Sequence, residues 1–173
     1  MVEWENQKFN IEDLIIYSSL GICRIIDICE QTYNGITKNF YVIQPVEDKN
    51  LTIHNPVDND KVVMLGMINR DDALKILDSF KEKGFRWIEK GHDRTKEYTE
   101  IVKTGNRKEI SRIVNTLMRK KFEADWNGRK IGDLDRRLLN STQNILFKEL
   151  AISLNTSFEA IFETTTRYIQ VKQ

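Results

Sequence analysis

Hydrophobic and polar residues follow different patterns in the two parts of this chain. Up to about residue 68, short runs rich in isoleucine, valine, tyrosine and phenylalanine are separated by polar turn residues, which is typical of antiparallel strands. Gly21 and the Asn34-Gly35 pair predict chain reversals, because these residues tolerate the positive φ that tight turns need. Pro56 has no N–H to donate, so it is expected at a strand end or on an edge strand. The pattern predicts a small, strongly bent antiparallel sheet or barrel.

From Asn69 onward the hydrophobic period becomes that of an α-helix. Asn69 is the predicted N-cap of a first helix, with acidic residues in its first turn, and Gly84 is expected to end that helix. Thr156 and Glu159 form a predicted capping box that opens the last helix. Two longer helices between them are predicted from apolar residues at helical spacing: Ile110, Ile113, Val114, Leu117 and Met118, then Leu138, Leu139, Ile145, Leu146 and Leu150.

These patterns predict an α+β fold. Residues 1–68 would form a small bent antiparallel β module of the Tudor-like or SH3-like kind. Residues 69–85 would form a connecting helix, and residues 86–173 an all-helical, basic bundle domain.

The net charge of +1 conceals an asymmetry between the two halves. Residues 1–85 carry 9 Lys and Arg against 14 Asp and Glu, whereas residues 86–173 carry 18 against 12. An acidic module followed by a basic one indicates two partners of different electrostatic character, although two ordinary solvated surfaces would also fit. No apolar run approaches the roughly 20 residues that span a bilayer, and the acidic start lacks the features of a signal peptide. A cytoplasmic protein with no membrane contact is expected.

Residues of the kind that catalysis requires are few. His54 and His92 lie in different predicted domains, and neither has a Cys or His at metal-ligand spacing. No phosphate-binding loop, nucleophile elbow or dinucleotide fingerprint is present. Asp133 and Asp135 are two residues apart, so they are interpreted as first-turn acids of a helix rather than as a catalytic pair. We expect no enzyme, cofactor or metal site, although an active site assembled from distant residues stays open.

The two cysteines are too few for a disulfide framework. If Cys23 and Cys29 lie on one continuous strand, their even spacing puts both on one face, roughly 20 Å apart and beyond disulfide reach. They are interpreted as ordinary buried thiols.

Five segments, in the same order along the chain, resemble the CarD/CdnL family of bacterial transcription regulators, whose module also occurs in the transcription-repair coupling factor. The first runs from Phe9 through Tyr17 and Gly21 to Ile25. The others are Phe40-Tyr41-Val42-Ile43, then 51–59 with its Pro56-Val57-Asp58-Asn59, then Ile68 with 69–73, and finally Trp87 with Gly105-Asn106-Arg107-Lys108-Glu109.

Several positions depart from the family pattern. Glu12 stands where the family usually has Gly, and Ser18, Leu20 and Cys23 replace the usual Pro, His and Gly of the first hairpin. Leu65 replaces a common Arg, and about four additional residues follow Trp87. The chain is therefore identified as a divergent member of the family.

The resemblance implies a tether to the β subunit of bacterial RNA polymerase. Family members place an edge strand of the β module beside a strand of that subunit, which is β-augmentation. The expected contact residues are those of the predicted strand before Pro56: Leu51, Thr52, Ile53, His54 and Asn55. The alternative is a routine edge strand that is merely protected from pairing.

The resemblance also implies contact with promoter DNA, largely independent of sequence. In the family a tryptophan at the position of Trp87 wedges into the minor groove at the edge of the melted promoter, and basic residues hold the phosphates. Trp87 could instead pack between domains. Trp126 is interpreted as capping the end of the bundle, with stacking on nucleic acid as the alternative. The expected DNA contacts are Arg86, Trp87, Lys90, Arg94, Lys96, Arg107, Lys108 and Arg112.

Taken together, these features predict a monomeric, non-enzymatic transcription regulator. It would tether to RNA polymerase through the β module and change open-complex stability through the basic helices. Two alternatives stay open. One is a protein–protein adaptor built on the same modules without DNA contact, and the other is an enzyme with a cleft between its domains.

Overall fold

The computed structural model of the protein describes residues 8–17 and 20–171. The chain divides into two compact units, of which the first ends at Met67 and the second begins at Ile68. In the described ranges, the first unit is an antiparallel sheet and the second contains five α-helices, so the predicted α+β fold is confirmed.

The described residues of the first unit form five strands: β1 over Leu14–Tyr17, β2 over Gly21–Tyr33, β3 over Ile36–Pro45, β4 over Ile53–Pro56 and β5 over Met64–Gly66. All neighbouring pairs are antiparallel, in the order β4-β3-β2-β1-β5. The strand before and including Pro56 is therefore an edge strand, as its proline predicted.

Both predicted reversals are present. Gly21 has φ 77° and pairs with Tyr17 at the β1–β2 junction. Asn34 and Gly35 have φ 52° and 76° and join β2 to β3 as a two-residue turn between the paired residues Tyr33 and Ile36. Positive φ at both central positions is the type I′ geometry, whose twist matches that of the flanking strands.

A register shift between Ile25 and Asp27 changes which side of β2 faces the core. Cys23 and Ile25 lie in the buried cluster, and past the shift Ile28 packs against that cluster. Cys29 therefore points to the opposite face, so the prediction that both cysteines share one face is wrong. Both are free thiols, and burial raises the pKa of Cys23 to about 11.

The second unit begins with α1 over Arg70–Asp78, followed by a 3₁₀ helix over Ser79–Lys81. The remaining helices are α2 over Gly91–Lys103, α3 over Arg107–Trp126, α4 over Asp133–Ser153 and α5 over Phe158–Gln170. Asn69 caps α1 as predicted, since its side chain accepts the Asp72 N–H at 2.8 Å. Within the described ranges, no helix is long and apolar enough to cross a membrane.

Ala73 and Ile76 of α1 and Phe80 of the 3₁₀ helix are buried in the helical core, so the segment predicted as a connecting helix packs with the second unit. One helix prediction is corrected. The cap of α5 is Ser157 rather than Thr156, because the helix begins one residue later and Ser157 Oγ accepts the Ala160 N–H at 3.1 Å.

Candidate protein and nucleic-acid interfaces

The backbone of β4 is bonded to β3 on one side and, among the residues that the structure describes, to no strand on the other. The register pairs Ile53 with Ile43 and Asn55 with Tyr41. Two positions beyond Asn55, Val57 faces Asn39, and this pair is hydrogen-bonded because the Val57 N–H donates to the Asn39 carbonyl at 2.9 Å. Bonded and non-bonded pairs alternate in an antiparallel ladder. The polar backbone groups of Ile53 and Asn55 therefore point to β3, and those of His54 point outward.

The open side of β4 is short. Pro56 shares the orientation of His54 but has no N–H, and its carbonyl accepts the Asn59 N–H at 3.1 Å. Within residues 8–17 and 20–171, β4 pairs with no strand except β3. The N–H and C=O of His54 are thus the one outward backbone pair that β4 offers for another strand.

Side chains at this edge are divided between the two faces of the sheet. The Ile53 side chain packs against the core of the first unit. His54 is exposed, and its Nδ1 lies 2.6 Å from Gln31 Nε2. Leu51 and Thr52, both exposed, precede the strand rather than belong to it. The strand predicted over 51–55 thus begins two residues later, and it ends at Pro56.

Asn55 is a structural residue, which corrects its place among the predicted contacts. Its side chain is only 3% exposed. Its Oδ1 accepts from Asn59 Nδ2 at 2.7 Å, and its Nδ2 lies 3.1 Å from the Met64 sulfur. Because its backbone also points to β3, neither its amide nor its side chain is open to a partner.

In the second unit, an irregular segment over residues 82–90, here called the connector, carries Trp87. Side chains of α3 satisfy its backbone. The Phe85 N–H donates to Thr116 Oγ1 at 2.7 Å, and the Glu82 carbonyl accepts from Asn115 Nδ2 at 2.9 Å and from Arg119 Nη2 at 3.0 Å. These bonds hold the connector at one position along α3. They are needed because an irregular segment satisfies few of its own backbone polar groups.

Gly84 lets the connector approach α3 closely. A Cβ on Gly84 would lie 2.1 Å from Thr116 Oγ1 and 2.9 Å from the Thr116 backbone nitrogen. The sequence predicted that this glycine would end a helix, but the 3₁₀ helix already ends at Lys81. The glycine is needed here for close packing.

Trp87 is half-buried and packs against the helical core. The Arg94 guanidinium carbon lies 3.8 Å from the centre of its ring, and Lys120 Nζ lies 5.2 Å away. Arg94 is held in turn by Asp135, with Nε to Oδ1 at 2.8 Å and Nη2 to Oδ2 at 2.5 Å. Its third nitrogen donates to the carbonyl of Ile88. A buried ion pair and a cation–π contact therefore hold the tryptophan in place.

Two predicted phosphate contacts are corrected. Arg94 is buried in its pair with Asp135. Arg107 is also largely buried, with its Nη2 2.9 Å from the Oε1 of Glu149, which is itself buried. Moving either arginine to a phosphate would leave an uncompensated carboxylate inside the protein, which is strongly unfavourable.

Arg112 has a mixed environment. Its guanidinium lies 4.0 Å from the Phe85 ring and 3.4 Å from Glu109, and its side chain is 39% exposed. It supports the connector and keeps part of its surface open. Arg86, Lys90, Lys96 and Lys108 differ, since all four are exposed and have no carboxylate within 4.0 Å in the part of the chain that the structure describes. Their role as DNA contacts stays a prediction.

Trp126 does not cap the bundle. Its surface is 92% exposed, so the structural interpretation made from the sequence is wrong. Stacking on nucleic acid stays as the alternative.

Sequence reasoning missed the acidic partners. Asp135 lies in the first turn of α4, as predicted, but it pairs with Arg94 from 41 positions away. Glu149 lies beside Leu146 and Leu150 on the apolar side of α4. A carboxylate among buried residues requires a cationic partner, and that signal was available in the sequence. Among the residues described, no cluster of His, Cys, Asp and Glu could hold a metal ion.

Comparison with family models matches both units. Residues 9–67 match the model described as the CarD-like/TRCF RID domain, and residues 75–165 match the model described as the CarD C-terminal domain. No individual curated protein matches the chain significantly.

Proposed function

The chain belongs to the CarD family of RNA polymerase-interacting transcription proteins, and on that basis we propose that it binds the polymerase β subunit and promoter DNA at once. Binding both would change the lifetime of the open complex, with the protein acting as a monomer. The family is non-enzymatic, and the proposed mechanism requires no reaction. The observation that carries the proposal is the open backbone edge of β4 in the module that matches the polymerase-interacting domain.

The tether would form by strand addition at β4. A partner strand would bond to the outward N–H and C=O of His54, and main-chain bonds of this kind supply affinity with little dependence on side chains. Specificity would come from the side chains beside it, above all the exposed Thr52 and His54.

The DNA contact would come from the unpaired cations of the second unit. Arg86 and Lys90 belong to the connector, while Lys96 and Lys108 extend the charge onto α2 and α3. Each cation that neutralises a phosphate releases counterions, so this contact would depend steeply on salt and little on base sequence. Trp87 would present the exposed part of its ring to the upstream edge of the melted region.

The test is a pair of substitutions at one position, assayed by binding of the full chain to core RNA polymerase. His54→Pro removes the outward N–H and should weaken binding about tenfold or more, the equivalent of about 1.4 kcal/mol. His54→Ala keeps that N–H and should bind nearly as the wild type. Equal binding by both variants, with unchanged melting temperatures, would exclude the β4 edge as the tether.

A protein–protein adaptor is the second candidate. The observation in its favour is that Arg94 and Arg107 are committed to buried carboxylates, which reduces the charge available for DNA. The two functions differ in salt dependence. The log of the affinity for promoter DNA should fall linearly with the log of salt concentration if DNA is a partner. An adaptor would show no DNA binding at any salt concentration.

A further inference from the structure

Trp126 is the most exposed large hydrophobic residue that the structure describes. Its surface is 92% accessible, whereas Trp87 is half-buried beneath Arg94. Tryptophan is usually mostly buried, because its ring is the largest apolar side-chain surface. An indole left in solvent on an otherwise well-packed helical unit therefore needs an explanation outside that unit.

The backbone at Trp126 is a capped helix end rather than a loose loop. Trp126 is the last residue of α3, and the chain after it forms a Schellman motif. Gly128 has φ 65°, its N–H donates to the Asp125 carbonyl at 3.1 Å, and the Arg129 N–H donates to the Ala124 carbonyl at 2.8 Å. These two bonds fix the backbone of Arg129 relative to the backbone of Trp126, so the first cation after the indole follows it at a set main-chain position.

The electrostatics around the ring favour an anion. Arg129 and Lys130 are exposed, and neither has a carboxylate within 4.0 Å among the residues described. The nearest acids along α3, Glu123 and Asp125, are each engaged by a lysine, at 2.9 Å and 2.6 Å. The unneutralised charge beside the ring is therefore positive.

We propose that Trp126, with Arg129 and Lys130, is a stacking platform for an unpaired base of single-stranded DNA. An aromatic face flanked by cations is the feature by which proteins bind single strands without reading sequence. The inference rests on the proposed function, in which the helical unit contacts melted promoter DNA. It adds a second aromatic contact, and one whose ring is not covered by neighbouring side chains.

A membrane surface is a less suitable partner for this helix end than DNA. Interfacial helices bury a continuous apolar face. The residues that share a helical face with Trp126 are Glu123, which is exposed and acidic, and Phe122, which packs against the helical core. A protein pocket that takes up the indole would be a different proposal, and the experiment below separates it from DNA.

The experiment measures binding of the full chain to a fluorescent oligo-dT strand in the absence of polymerase. Trp126→Ala should weaken binding about five- to 150-fold, the range expected for loss of one base stack. Trp126→Phe keeps an aromatic face and should retain most of the affinity. Arg129→Ala and Lys130→Ala should each reduce the slope of log affinity against log salt concentration by about one. Melting temperatures should be unchanged, because none of these side chains is buried.

Three outcomes would overturn the platform in different ways. Unchanged affinity of Trp126→Ala, together with weakened Lys90→Ala or Lys108→Ala, would remove the platform and leave DNA contact in place. Absence of DNA binding by the wild type at low salt, to oligo-dT and to duplex promoter DNA alike, would remove both the platform and the proposed DNA function. Loss of polymerase binding by Trp126→Ala, with oligo-dT binding intact, would assign the ring to a protein pocket instead.

Discussion

The two units offer partners different chemistry. At β4 the available groups are an N–H and a C=O of the backbone, whose direction is set by ladder register. In the helical unit they are side chains, whose availability depends on which cations already have a carboxylate. The first surface therefore tolerates side-chain divergence, whereas the second can be gained or lost by single substitutions.

A second contrast lies within the helical unit, between cations that hold a buried partner and cations that are exposed. Arg94 and Arg107 hold buried carboxylates, and Arg119 bonds to the connector, where burial lowers its pKa. Lys90 and Lys108 are exposed and lack such partners in the described ranges. Arginine's planar fork suits bidentate, partly buried contacts, while lysine remains a hydrated point charge. The basic residues near Trp87 thus fall into two groups, one with buried or backbone partners and one exposed to solvent, and net charge alone does not distinguish them.

The largest expected effect comes from removing one half of the buried pair. Asp135→Ala should lower the free energy of unfolding by about 3–5 kcal/mol, because Arg94 would be left charged and buried. Urea unfolding of the full chain measures it. The matched control is Asp133→Ala in the same helical turn, where the acid is exposed and pairs with Arg136 at 2.7 Å. That control should cost no more than about 1 kcal/mol. Equal losses in both variants would mean that the Arg94 pair has no special structural role.

Gly84→Ala tests the attachment of the connector to α3. The new Cβ would overlap Thr116, so we expect a loss of about 1–3 kcal/mol in unfolding free energy. Gly132→Ala is the control, since its Cβ would meet Asp135 Oδ2 at an ordinary 3.7 Å. Thermal melting compares the two. A Gly84→Ala protein as stable as wild type would show that the connector can move away from α3 at little cost.

Neighbouring residues 107 and 108 sharpen the contrast between arginine and lysine. Lys108→Ala should reduce the salt slope of DNA binding by about one and leave stability within about 0.5 kcal/mol of wild type. Arg107→Ala should destabilise the fold, because Glu149 would lose its guanidinium partner. DNA titrations at several salt concentrations, with unfolding curves for each variant, measure both quantities. A destabilised Lys108→Ala protein with an unchanged salt slope, together with a stable Arg107→Ala protein with a reduced slope, would contradict the roles assigned to these two residues.

The smallest expected effect concerns the two thiols. Burial raises the pKa of Cys23 to about 11, so little of this thiol is ionised at pH 8, and its buried sulfur is also shielded from a reagent. A thiol reagent should therefore modify the more accessible Cys29 first. The sign follows from the mechanism, since the thiolate is the reactive form and burial disfavours it. Single Cys→Ser variants assign the fast and slow phases. Faster modification of Cys23 would contradict its burial in the core of the first unit.

Local signals in the sequence predicted more of the fold than of the interaction surfaces. The Asn34-Gly35 turn, the Asn69 cap and the helical periods depend on residues close in sequence, and the structure contains all three. Partners distant in sequence were not predicted: Arg94 with Asp135, and Arg107 with Glu149. The face of Cys29 was missed because a single extra residue in β2 reverses the alternation. Exposure of Trp126 depends on tertiary packing, which periodicity does not report.

The central claim is that β4 binds the polymerase through the outward backbone of His54. Residue-resolved amide hydrogen exchange, with and without the polymerase β subunit, tests it most directly. In the free protein, the amides of Ile53 and Asn55 should exchange slowly because they bond to β3, while that of His54 should exchange quickly. Binding should slow exchange at His54 and leave its two neighbours nearly unchanged. Fast exchange at His54 in the saturated complex would contradict the account.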